Sequence, residues 1–121
     1  MTPQKQNTFI AAEWFDAFNT KDLDRLLGLY HEDAHHYSPR LKLSRPETNG
    51  LIIGKSALRS WWGDAFMRLP SLHYTPISLT ESEQRVFMEY IRKVDGEPNS
   101  QIAEVLEIRN GLIIASKVYN G

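Results

Sequence analysis

Apolar residues recur with a helical period from Phe9 to Tyr30. Ile10, Trp14, Ala17 and Phe18 fall at i, i+4, i+7 and i+8, and Ala11 and Phe15 widen the stripe. Asn19-Thr20-Lys21 interrupts the pattern. Asp22 predicts the N-cap of a second helix, in which Leu23, Leu26, Leu27 and Tyr30 repeat at helical spacing. The run from Ala34 to Ser38 then reads as extended, ended by Pro39. A third stripe, Leu58, Trp61, Trp62, Ala65, Phe66 and Leu69, predicts a helix from Ala57 with Ser56 as its N-cap and Pro70 as its stop. Beyond Pro70 the period shortens. Leu72–Leu79, Arg85–Val94, Gln101–Arg109 and Leu112–Tyr119 read as strands, with hairpin signals at Asp95-Gly96 and Asn110-Gly111, the second of type I′. Arg40–Gly50 reads as a loop. Three helices followed by an antiparallel meander, joined by the Ala34–Ser38 strand, predict an α+β layer.

The 121 residues suit one core, so a single domain over 1–121 is expected. Fourteen basic against fifteen acidic residues leave a formal net charge of −1 without a block of like charge. That balance argues against a nucleic-acid partner. Cysteine is absent, which removes disulfides and thiol chemistry. Met1–Thr8 lacks the apolar segment of a signal peptide, and no run is long enough to span a bilayer. A soluble cytoplasmic protein with no membrane partner is the expectation. Gly54-Lys55-Ser56 lacks the glycine that a phosphate-binding loop needs at position 49, which is Asn. His31, Glu32, Asp33, His35 and His36 meet no fixed metal-ligand spacing, so the first three are taken as exposed junction residues and no metal is expected.

The run WFDAFNTKDLDRLLGLYHEDAHHYSP, together with the closing Asn110-Gly111 hairpin, resembles the NTF2-like superfamily in its SnoaL-like and ketosteroid-isomerase-like branch. The resemblance extends over nearly the whole chain. It implies a cone-shaped α+β fold, with three N-terminal helices packed in a strongly curved, mostly antiparallel sheet. Such a fold hosts many unrelated activities, so it does not name a reaction.

Alternation sorts the strands into two faces. Ile102, Glu104, Leu106 and Ile108 share one face, leaving Glu104 a lone charge among apolar neighbours. Val86, Met88, Tyr90, Arg92 and Val94 share another; Ala34, His36 and Ser38 a third; Ile114, Ser116 and Val118 a fourth. The resemblance implies that these sets point into the cone, joined by Trp14, Phe18 and Trp61. It also implies a ketosteroid isomerase that has lost its parts. Such an enzyme needs a carboxylate base and an oxyanion hole of a Tyr and a protonated acid. Ser38 stands at the base position and Trp14 at the Tyr position, and Glu104 keeps the acid. Steroid isomerisation is therefore not expected. The limonene-epoxide-hydrolase branch fits no better, with Tyr90, Arg92 and Val118 at its polar positions.

What remains is a polar set, His36, Ser38, Tyr90, Arg92 and Glu104, in an otherwise apolar pocket. One reading is acid/base chemistry without a cofactor, of the isomerase, lyase or cyclase kind, on a small apolar oxygenated molecule. There His36, Glu104 and Ser38 would be catalytic, and Trp14, Phe18, Trp61, Tyr90, Arg92 and Ser116 would bind the ligand. The other is a non-catalytic module for a ligand or protein, whose internal polar groups are merely satisfied. Glu104 either pairs with Arg92 and stays ionised, or Arg92 reaches the mouth and Glu104 keeps a raised pKa. The outward set Phe87, Ile91, Val105, Ile113 and Tyr119, mixed with Glu89, Lys93, Glu107 and Lys117, predicts a homodimer through the sheet.

Overall fold

The computed structural model describes residues 3–120. Helix α1 (Pro3–Asn19) and the short α2 (Leu23–Gly28) lead into β1 (Tyr30–Tyr37), then α3 (Pro39–Ser44) and a 3-10 turn (Pro46–Thr48). Next come β2 (Leu51–Ile53), α4 (Lys55–Arg68) and four long strands: β3 (His73–Glu81), β4 (Arg85–Lys93), β5 (Ser100–Arg109) and β6 (Leu112–Asn120).

Local chemistry explains most boundaries. The Asp22 side chain accepts the Arg25 N–H at 3.2 Å, capping α2 as its position predicts. Asn110 and Gly111 have φ of 53° and 78°, the left-handed pair that a type I′ hairpin requires. All six residues of the predicted α1 stripe are buried, from Ile10 to Phe18. Tyr30 closes the sequence pattern of α2 but opens β1, and its ring is buried in the core.

Three expectations are corrected. The segment expected to be a loop, Arg40–Gly50, contains α3. The Ser38 hydroxyl accepts the Arg40 N–H and Pro39 fills the first turn, where its missing N–H costs nothing. Among the described residues there are thus four α-helices rather than three. Helix α4 is entered through Gly54, at φ 93°, not capped by Ser56. The sheet, finally, is not curled into a cone. Its order is β2-β1-β6-β5-β4-β3, an open sheet with β2 and β3 as edges, and it is mixed because β1 runs parallel to β6.

Helix α1 lies against β3 and β4, and α4 against β1 and β2. Two asparagines tie α1 down. Asn7 Nδ2 donates to the carbonyls of Ser82 and Glu83, and Asn19 exchanges two hydrogen bonds of 2.8 Å with the Tyr74 backbone. On α4, Trp62 is buried, whereas Trp61 and Phe66, expected in the core, are half-buried against it.

A bulge decides which residues of β6 face inward. Ile108 pairs with Ile113 but Glu107 pairs with Ala115, so one extra residue, Ile114, sits in β6. Ile113 and Ser116 are both buried in consequence. This corrects two placements: Ile113 belongs to the core rather than the outer face, and Ile114 is only half-buried.

Candidate functional site

Between α1, α4 and the buried face of the sheet lies a cavity of about 230 Å³. Trp14 and Phe18 of α1, Trp61 and Trp62 of α4, Tyr74 of β3 and Ile102 of β5 give it aromatic and apolar walls. His36, Ser38, Tyr90, Arg92 and Glu104 also line it, so the structure gathers the polar set from three separate segments of the chain. Ser116 lies behind His36 and is not a lining residue.

The polar groups form two arms. In the first, Trp14 Nε1 donates to the Tyr30 hydroxyl at 3.1 Å, and Tyr30 donates to Ser116 Oγ at 3.0 Å. Ser116 Oγ in turn meets His36 Nδ1 at 2.7 Å, a bond set by the direct pairing of residues 36 and 116 across β1 and β6. Burial pushes the His36 pKa down to about 4, with the Ser116 contact opposing. His36 is thus neutral at pH 7.

The second arm holds Glu104. Tyr90 donates to its Oε1 at 2.6 Å, while Oε2 is buried without a hydrogen-bond partner. Burial raises the Glu104 pKa to about 7, and the Tyr90 bond, which favours the carboxylate, offsets only part of that. At neutral pH a large share of Glu104 is therefore a carboxylic acid, with an oxygen free to donate. The hydroxyls of Tyr74 and Tyr90 beside it are raised well above the ordinary phenol value, chiefly by burial and secondly by the Glu104 charge.

Arg92, only 5 % exposed, does not pair with Glu104. Its Nη1 donates at 3.0 Å to Glu97 Oε1 in the β4–β5 loop, a residue 44 % exposed. Of the two arrangements left open by the sequence, the ion pair between Arg92 and Glu104 is thus not the one formed. Ser38 Oγ is engaged as the α3 cap. His31, Glu32, Asp33 and His35 are exposed, and among the described residues no three His, Cys, Asp or Glu side chains are grouped to hold a metal ion.

Sequence reasoning missed Tyr30, Trp62, Tyr74, Arg40 and Glu97. Trp62 was on the predicted stripe, but the resemblance pointed to Trp61. The helical spacing of Tyr30 hid a strand residue. Nothing in the pattern of Leu72–Leu79 singled out Tyr74.

Among the described residues, four helices and an open mixed sheet that surround a buried acid define an α+β architecture. The SnoaL-like domain family matches residues 11–116, and the chain belongs to that family. It is similar to a SnoaL-like protein of unknown function from Burkholderia thailandensis, with 24% identity, TM-score 0.86, and 98% of this chain and 96% of the other covered. An NTF2-like protein from Anabaena variabilis shares 18% identity at TM-score 0.76, over 96% and 90% of the chains. TerC, crystallised with polyporic acid, shares 15% identity at TM-score 0.80, over 96% and 92%. No curated protein matches the sequence. No described helix is long and apolar enough to cross a membrane.

Proposed function

We propose that the cavity binds a small, largely apolar, oxygenated molecule, and that Glu104 acts on an oxygen of that ligand as a hydrogen-bond donor and acid/base group. One observation carries this: Glu104 is 1 % exposed, with one carboxyl oxygen matched by Tyr90 and the other unmatched. Buried polar atoms are nearly always satisfied, so an unmatched one on a cavity wall marks a place for a partner. A group that titrates near neutrality suits proton transfer of the isomerase, lyase or cyclase kind without a cofactor. The fold relative TerC has been crystallised with polyporic acid, which supports small-molecule binding by this architecture. A steroid isomerase is not proposed, because Ser38 is a poor base and its oxygen serves the α3 cap.

A second reading, a non-catalytic binding module, draws on the first arm. Its groups from Trp14 to His36 satisfy one another, and His36 is not protonated at neutral pH. Native mass spectrometry of the purified protein, followed by assay of any co-purifying molecule, separates the two. Loss of turnover with retained binding in Glu104→Gln supports the enzyme. A change in affinity alone supports the module, and no binding of any apolar oxygenated compound refutes the enzyme and the small-molecule form of the module.

The assembly we propose is a homodimer through the outer sheet face. Phe87 and Tyr119 stand 41 % and 58 % exposed there, beside half-buried Ile91 and Val105. Glu89, Lys93, Glu107 and Lys117 intersperse them with both charge signs, as a two-fold interface requires.

A further inference from the structure

The geometry points to a ligand that is an anion, with its charged head at the cavity mouth and its apolar body inside. This rests on the cavity reading above and adds the chemical class: a compact, planar organic acid. The cavity of about 230 Å³ is smaller than the roughly 300–1,000 Å³ of drug-sized pockets, which sets the compact limit. Its aromatic walls set the planar one.

The cavity lining is rich in arginine. Arg40 and Arg68, both exposed, and the buried Arg92 line the cavity together. Against these three arginines stands one exposed carboxylate, Glu97; the other lining acid, Glu104, is fully buried, and burial raises its pKa to about 7, so it carries only part of a charge at neutral pH. Arg68 also pairs with Asp64 on its own helix at 2.7 Å, which leaves Arg40 and Arg92 as the cations available to a ligand. A guanidinium carries five N–H donors in a planar fork. A single Arg92 nitrogen reaches Glu97, and it does so at 3.0 Å, through one oxygen of a half-solvated side chain on a loop. Glu97 therefore occupies the position that a ligand carboxylate would take. Exchange of one carboxylate for another keeps Arg92 paired, so binding leaves no buried charge alone. Water retained by the displaced Glu97 repays its loss.

The test is a matched pair of probes, 1-naphthoate and 1-naphthamide, titrated by calorimetry and by NMR shifts of the Trp14 and Trp62 indole N–H groups. The carboxylate is expected to bind roughly tenfold tighter than the amide, as a charge-assisted bond exceeds a neutral one. Glu97→Gln, at an exposed position, is expected to tighten 1-naphthoate further and to leave 1-naphthamide unchanged. Arg40→Gln, also exposed, is expected to shrink the preference, and so is raised salt. Equal affinity for the two probes, or an unchanged preference in both variants, overturns the anion assignment and leaves the cavity reading standing. Failure of both probes to shift the indole signals overturns the anion assignment and the cavity reading together.

Discussion

Replacing Glu104 by Gln tests the core of the site through pH. The wild-type carboxyl moves from an ordinary value of 4.5 to about 7 on folding. The folded state therefore holds a proton that the unfolded chain releases, and this contribution is present below about pH 4.5 and lost as pH rises toward 7. At about 1.4 kcal/mol per pH unit the loss reaches about 3 kcal/mol. Gln keeps the shape and an oxygen for Tyr90 but does not titrate, so the variant escapes this loss. His36 works in the opposite sense. Its pKa falls from 6.5 to about 4 on folding, so its contribution is present above pH 6.5 and lost as pH falls toward 4. Between about pH 4.5 and 6.5 the two slopes oppose each other, and wild-type stability is expected to be nearly flat with respect to these groups. Urea denaturation of both proteins from pH 4.5 to 8 reads the difference. Near pH 4.5 the two should agree to within about 1 kcal/mol. At pH 8 Glu104→Gln should be the more stable by about 3 kcal/mol, or about 10 °C in Tm at the entropy expected for this size. A stability difference that does not change with pH would refute the protonated-acid assignment.

Gly50 stands at φ 87°, and an added Cβ would lie 2.7 Å from the Tyr37 ring. Gly50→Ala is expected to lower stability by about 2 kcal/mol, measured by thermal denaturation. Sedimentation equilibrium at tens of micromolar, a working range for ordinary interfaces, is expected to show a dimer that Phe87→Glu converts to monomer. The unmodified protein is expected to show no useful isomerisation of a 3-oxo-Δ5-steroid in an absorbance assay, since no positioned base replaces Ser38.

The helical stripes were legible because burial on one face writes itself into the sequence at 3.6-residue spacing. That is why Ile10 to Phe18, Leu26 and Leu58 were placed correctly. Alternation likewise found Glu104, Tyr90, Arg92 and His36 on inward faces. It failed at Ile113 and Ile114, because a bulge resets the two-residue period without any residue type announcing it. Helix α3 was missed because its cap and its proline, Ser38-Pro39, also read as a strand end. The shape of the sheet was carried over from the resemblance, not read from the residues. The open order, with β2 and β3 as free edges, overturned that part, as no local pattern encodes which strands become neighbours.

The pairing of β1 with β6 has a consequence for how the protein comes into being. Strand β6 follows the other five in the chain, yet it lies between β1 and β5. Until it is in place, β2-β1 and β5-β4-β3 are two unconnected leaves with open edges on either side of a gap. The Ser116–His36 and Ser116–Tyr30 bonds span 80 and 86 residues, so they close among the most distant contacts in the chain. Contacts of such separation slow folding, because a long loop must be ordered before they reward it. On a ribosome, the leaf carrying His36 emerges first and waits for its seam. A chain that ends short of Ser116 carries the aromatic wall residues but lacks the serine that bridges Tyr30 and His36.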